Sequence, residues 1–287
     1  MRRFEFIQPQ TASEAIALLV KHGARASLLA GGTDLLVEIK ESIRTPDIVI
    51  DAKHIRGLHE FTVSAADGLC FGALVTAREI ETSASVQAQY RSLWQAVREV
   101  GSIQVRTRAT IAGNVCRASP SADTLPPLIA DGASVTMQGA GGGRTLLLET
   151  FFTGPGKTVL AADEIVTGFT VPAPLPGTGK CYIKHGRRKA MELATVGVAV
   201  TLTMSGGACR SIRIALGAVA PTPIRARKAE AVLTGAKLDA GTVAECARVA
   251  ASETSPISNI RGSADYRRAM VEELTQRAVL SAMEAVR

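Results

Sequence analysis

Two short stretches carry residue types suited to holding a phosphorylated, sugar-containing ligand. The first, Leu28-Leu29-Ala30-Gly31-Gly32-Thr33-Asp34-Leu35, is a brief apolar strand running into a Gly-Gly turn with Thr and Asp behind it. Adjacent glycines let consecutive backbone N–H groups converge on one anion, a nest that suits a pyrophosphate. The spacing is not G-x-G-x-x-G, so the Rossmann fingerprint fails. The second stretch is residues 100–127, which reads as neither a helix interior nor a half-buried strand. Within it Gly113 and Asn114 tolerate crowded or left-handed backbone, and Ser119, Ser121 and Asp123 are short and polar. Asp123, Thr124, Pro126 and Pro127 read as the cap and first turn of a helix starting near residue 122. A polar loop entering a helix N-terminus suits phosphate and sugar hydroxyls. Alone, the first stretch is usually just a turn and the second a surface loop. Together they say more, because a dinucleotide needs one loop for its phosphates and another for ring and ribose.

Other chemistries find no support. His22, His54, His59 and His185 are scattered and lie in no Ser-His-Asp set. Cys70, Cys116, Cys181, Cys209 and Cys246 form no C-x-x-C pair, so neither a metal site nor an iron–sulfur cluster is expected on this chain. The glycine run Gly139–Gly143 lacks the Lys-Ser/Thr ending of a phosphate loop and joins two strands, which makes it a hairpin turn.

The elements that must position these residues follow from pattern. Thr11-Ala-Ser-Glu14 is a capping box before a helix with Ala15, Leu18 and Leu19 on its apolar face. Strands at 28–30 and 47–51 with a helix over 34–40 give an α-β-α-β unit in the first fifty residues. Strands at 61–63 and 69–72 form a hairpin; a second capping box at Thr76–Glu79 precedes a helix over 86–97 that holds Trp94. A hairpin over 134–138 and 144–148 and a strand over 165–171 complete this part. Pro172, Pro174 and Pro176 with Gly177 and Gly179 are the best linker, placing a boundary between residues 1–176 (parts 1–55 and 56–176) and 177–287. Strands near 181–187, 194–204 and 210–218, then helices near 224–233, 242–252 and 263–286, make the second domain α+β with a three-stranded antiparallel sheet. In the last helix Tyr266, Met270, Leu274 and Ala278 are read as the core face.

The 287 residues are 46% apolar, enough for a large core, and 33 basic against 26 acidic residues leave a net charge of +7. That excess suggests an anionic ligand or an acidic partner. Nucleic acid is disfavoured, because only Arg187-Arg188-Lys189 is a compact basic run and aromatics are 4%. The N-terminus lacks a signal-peptide core and Leu193–Thr203 is too short to span a bilayer, so a cytoplasmic globular protein with no membrane association is expected.

Ala30-Gly31-Gly32-Thr33-Asp34-Leu35, followed by Gly72-Ala73-Leu74-Val75-Thr76, resembles the medium, FAD-binding subunit of the molybdenum hydroxylases, which include carbon monoxide and xanthine dehydrogenases. Thr110-Ile111-Ala112-Gly113-Asn114 with Ala118–Asp123 is similar to the second FAD motif of that family, although Ala112-Gly113 replaces the commoner Gly-Gly. The likeness continues through Phe151–Thr158, Tyr182–Lys184 and Arg188–Val196 to Arg261–Arg267, nearly the whole chain. It implies an α+β fold with a two-part FAD-binding domain of the PCMH type. It also implies that Leu28, Leu29, Ala30, Gly31, Gly32, Thr33, Asp34 and Leu35 wrap the pyrophosphate. Thr110, Ile111, Ala112, Gly113 and Asn114 would pass beside the flavin ring and ribityl chain, with Val100 packed nearby. Ser119 belongs to the same motif, and Asp123 would accept hydrogen bonds from ribityl or ribose hydroxyls, or else cap its helix. Val166 would lie near the adenine or flavin edge. Lys184 would stand by the pyrimidine end of the flavin, its alternative being a strand-surface lysine. No catalytic residue and no metal ligand is implied on this chain.

The function implied is electron transfer through FAD, with molybdopterin on a large subunit, two 2Fe–2S clusters on a small one, and an external acceptor. Some members carry a cluster-binding insertion that this sequence lacks. The alternatives are a self-sufficient flavin oxidoreductase of the wider superfamily and a non-redox nucleotide-binding module.

Overall fold

The computed structural model describes residues 2–286. The chain opens with a parallel α/β unit: β1 (Glu5–Ile7), α1 (Ala12–His22), β2 (Ala26–Leu29), α2 (Leu35–Lys40) and β3 (Ile48–Asp51), in strand order β1-β3-β2. Thr11 caps α1 by accepting the Glu14 N–H, and the helix buries Ala15, Ile16 and Leu19. The middle strand β3 is buried at every position, which is why it reads Ile-Val-Ile instead of alternating. β1 is an addition to the expected order. Three residues carry no readable period, and the strand exists through its pairing with β3.

The second unit is built on a hairpin, β4 (Phe61–Ser64) and β5 (Gly68–Gly72), followed by a helical excursion. Its helices are α3 (Ala77–Thr82), α4 (Ala84–Gln89), α5 (Arg91–Arg98), α6 (Ile103–Arg106), α7 (Ile111–Arg117) and α8 (Leu125–Ala130). The chain returns through β6 (Ser134–Gly139), β7 (Gly142–Leu147), the short pair β8 (Phe152–Gly154) and β9 (Lys157–Thr158), and β10 (Ile165–Val171). The five-stranded sheet has the order β4-β5-β10-β6-β7.

Three expectations for this unit need correction. The helix over 86–97 is two helices, α4 and α5, broken at Tyr90 (φ −124°, ψ 50°). Its fully buried side chain donates its hydroxyl to the Pro172 carbonyl at 3.2 Å, and that anchorage outweighs local helix propensity. Residues 100–127 are not a plain loop. Ser102 and Thr110 cap α6 and α7 by accepting the N–H groups of Val105 and Gly113, and Gly113 and Asn114 are helical with no positive φ. Finally, α8 starts at Leu125, and Asp123 is not its cap; the cap position is Thr124.

The C-terminal part has the expected antiparallel meander, β11 (Thr178–His185), β12 (Val196–Ser205) and β13 (Ala208–Gly217), extended at one edge by the two-residue β14 (Ile224–Arg225). Ile224 therefore pairs with Leu216, and α9 (Arg227–Leu233) begins later than expected. α10 (Ala240–Ser252) and α11 (Ala264–Glu284) complete it. The buried face of α11 runs through Arg267, Val271, Leu274, Ala278 and Ala282, whereas Tyr266 is 44% exposed and bonds to His185. A strict four-residue repeat drifts by about 40° per step on a 3.6-residue helix, so the first member leaves the core.

Successive residues of β12 and β13 face opposite ways. Val198, Val200, Ile214 and Leu216 join the core under α9–α11, while Ala199 and Ala215 join the core of the first two units. The sheet thus rests on α5 and α8 with its other face, and this contact brings β11 to the segment between α7 and α8. Among the described residues no helix is long and apolar enough to cross a membrane.

Candidate functional site

The Gly-Gly turn leaves β2 and enters α2. Gly32 has φ +77°, the left-handed region that favours glycine. Gly31 is held for a different reason: a Cβ there would lie 2.1 Å from the Arg108 carbonyl oxygen. The turn is therefore pressed against the backbone just before α7. Among the described residues the N–H groups of Gly31, Gly32, Thr33 and Asp34 donate no hydrogen bond. Four consecutive free donors are costly unless water or a ligand takes them.

They face a cleft of about 380 Å³ lined by Leu28, Ala30–Leu35, Val100, Thr110, Gly113 and Asn114. Its far wall is held by the bridge of Thr110 to Thr76 and by the bonds Ile111 N–H to Val75 and Ala77 N–H to Ala109. Thr110 caps α7, accepting the Gly113 N–H at 2.9 Å. Glu38, Arg44, Val105, Ala109, Cys116, Arg117 and Gly156 also line the cleft. Glu38 takes Arg117 at 2.7 Å and Arg44 at 3.2 Å, which sets two guanidinium groups at the rim. A row of backbone donors with nearby guanidinium groups is chemistry for phosphate oxygens.

A second cluster lies where β11 meets the segment before α8. Asp123, 7% exposed, accepts the Tyr182 hydroxyl and the Lys184 ammonium, each at 2.8 Å. Lys184 also donates to the carbonyls of Glu99 (3.1 Å) and Glu192 (2.7 Å), so its three protons are all placed. Burial pushes the Asp123 carboxyl up to about 6, against the opposing pull of Lys184 and Tyr182. Burial, reinforced by the Asp123 charge, raises the Tyr182 phenol well above its ordinary value. Tyr182 and Lys184 line a different hollow of about 490 Å³, with Glu81, Gln95, Arg98, Glu99, Ile103 and Arg106.

The structure thus brings eleven of the sequence-derived residues into one cleft: Leu28, Ala30, Gly31, Gly32, Thr33, Asp34, Leu35, Val100, Thr110, Gly113 and Asn114. Leu29, Ile111, Ala112 and Val166 are buried in the cores behind it. The Ser119 hydroxyl accepts the Ser121 N–H. Asp123 and Lys184 form their own pair and are not among the lining residues of the cleft. Arg117 had a readable signal. With Thr110 taken as a cap, Gly113, Asn114 and Arg117 fall on one helical face. Glu38 and Arg44 had none, because α2 and the loop after it approach α7 only in the fold. Among the described residues no group of three or more His, Cys, Asp or Glu is placed to hold a metal.

Residues 2–174 match the family described as the FAD binding domain in molybdopterin dehydrogenase, and residues 181–282 the CO dehydrogenase flavoprotein C-terminal domain. The chain belongs to this family of FAD-binding subunits of molybdenum-containing dehydrogenases. It is 35% identical to the carbon monoxide dehydrogenase medium chain of Hydrogenophaga pseudoflava, over 98% of this chain and 97% of that one. The xanthine dehydrogenase FAD-binding subunit of Escherichia coli O157:H7 is 29% identical, over 96% and 94%. A solved structure of carbon monoxide dehydrogenase from Hydrogenophaga pseudoflava matches with a TM-score of 0.95 at 35% identity, covering 100% of this chain and 99% of that one.

Proposed function

We propose that this chain is the FAD-binding electron-transfer subunit of a heterotrimeric molybdenum hydroxylase. On this reading a large subunit holds molybdenum–pterin, a small subunit carries 2Fe–2S clusters, and electrons leave through this chain to an external acceptor. The observation that carries it is the row of four free N–H groups from Gly31 to Asp34, facing Thr110, Gly113 and Asn114 across one cleft. When bound, FAD supplies the redox chemistry between clusters and acceptor. The residues of the chain bind and orient it. The N–H row takes pyrophosphate oxygens; Leu28, Ala30, Leu35 and Val100 shape the walls; and Leu29, Ile111, Ala112 and Val166 support them from the core. Ser119 is an acceptor for ribityl or ribose hydroxyls, and Asp123, engaged by Tyr182 and Lys184, fixes the segment that carries Ser119. Lys184, its protons committed to protein oxygens, acts by its charge and by holding Asp123.

The same reading divides the chain into a FAD-binding domain, residues 1–176, and a C-terminal domain, residues 177–287, in keeping with a core built entirely from residues of the second. It puts the protein in the cytoplasm, in keeping with five free thiols. The test is an absorption titration of the purified chain with FAD, wild type beside Gly32→Asp. A bound-flavin spectrum for the wild type and none for the folded variant is expected. A folded wild type that takes up no flavin, alone or co-expressed with its large and small subunits, overturns the reading.

A further inference from the structure

We infer that Thr124 is a positioning residue that turns the Asn114 side-chain amide so that its NH₂ group points into the cleft as a donor. This rests on the reading of the cleft as the FAD site. At the start of α8 stands a helix cap with nothing to cap. Thr124 occupies the N-cap position of α8, and an N-cap hydroxyl ordinarily accepts the N–H of the second or third helical residue. In α8 those residues are Pro126 and Pro127, which have no N–H. The Thr124 side chain accordingly makes no capping bond. Its hydroxyl instead donates to Asn114 Oδ1 on α7 at 2.6 Å.

That bond decides the amide orientation. Thr124 is 1% exposed, and among the described residues Asn114 Oδ1 is the acceptor its proton has. Reversing the amide would put NH₂ against the hydroxyl and leave the hydroxyl proton buried without a partner, a loss about as large as the bond itself. With Oδ1 held by Thr124 and no bond from Nδ2 among the described residues, the NH₂ group is the part of this cleft-lining side chain left to donate. It faces the cleft together with the Gly31–Asp34 row and takes an acceptor oxygen of the bound cofactor. The two prolines thus serve a purpose beyond starting α8: they keep the Thr124 hydroxyl out of the helix and available to α7.

The test is fluorescence titration of the full chain with FAD, together with thermal melting. Thr124→Val, which keeps shape and removes the hydroxyl, is expected to weaken FAD binding about three- to tenfold. Thr124→Ser is expected to restore it. In an Asn114→Ala background Thr124→Val should cost nothing more, because the route through Asn114 is gone. Independently, Asn114→Asp, which keeps the oxygen for Thr124 but turns the cleft-facing donor into an acceptor, should bind FAD more weakly than Asn114→Ala. Wild-type affinity in Thr124→Val, an undiminished effect in the Asn114→Ala background, or equal affinities of the two Asn114 variants would each overturn the inference. If the wild type, alone or with co-expressed partner subunits, binds no FAD, the reading of the cleft falls and the inference with it.

Discussion

The cleft beside the Gly-Gly turn and the Asp123 centre both gather polar groups, on opposite terms. The cleft offers neutral backbone donors that are left unpaired and reachable. The Asp123 centre uses charged side chains, buries them, and gives every proton of Lys184 a protein acceptor. A binding surface must keep donors open, at a cost in stability until the ligand arrives. A joint between two parts of a fold closes them, because a buried charge without a partner is among the most expensive defects a protein can carry. The centre joins β11 to the segment before α8, and in doing so fixes the wall from which Thr124 reaches Asn114.

Substitutions can break this contrast at either end. The largest expected effect is at the closed centre. Lys184→Met leaves Asp123 buried beside an apolar side chain and should cost about 3–5 kcal/mol of stability, read by urea denaturation. A loss under about 1 kcal/mol would show that the pair is open to water. Next comes Gly31→Ala at the cleft, where the new Cβ would sit 2.1 Å from the Arg108 carbonyl and force two backbones apart. A loss of about 1–3 kcal/mol with FAD uptake abolished is expected. Retained uptake would mean that the two walls are not held in register by this contact.

Asp123 then supplies a pH dependence. Its carboxyl binds its proton more tightly in the folded chain, up to about 6, than in the unfolded chain. Its contribution is therefore fully present below the unfolded value and lost as pH rises through about 6. Between pH 4 and pH 7 the wild type should lose on the order of 1–3 kcal/mol that Asp123→Asn does not lose. Parallel stability profiles for the two proteins would remove the claim that burial dominates at this site. The smallest effect belongs to the exposed rim. Arg117→Gln, at a side chain 47% exposed, should change stability by less than about 1 kcal/mol. Its effect on FAD affinity should shrink with added salt, and a salt-independent loss would argue for direct bidentate contact instead.

Legibility followed the range of the physics involved. The turn after β2, the hairpins, the Thr11 cap and the capping box at Thr76 depend on neighbours a few residues away and were readable. The Glu14 carboxylate, however, accepts the Gln10 N–H and not that of Thr11, so no full capping box forms there. The short helix α7 was not, although its signal was present. Thr110 as a cap makes a helical face of Gly113, Asn114 and Arg117, but glycine and asparagine spoke for a turn. Tyr90 breaks the α4–α5 run because of a carbonyl at position 172, and β14 exists because Leu216 is there to pair with. No local pattern encodes either partner.

What the sequence determined by itself is the inventory: a Gly-Gly turn, a second polar segment, a stretch rich in proline and glycine, and the hairpin strands and capped helices around them. Tertiary structure alone decided which of these residues share a cavity. It set Glu38, Arg44 and Arg117 at one rim, and it drew Asp123 away from its own helix to Lys184 and Tyr182 about sixty residues further along the chain. Propensity and capping act over a few residues. Cavities and buried ion pairs form only when segments distant in the chain are packed together, because a charge excluded from water must take whichever partner the fold brings within reach.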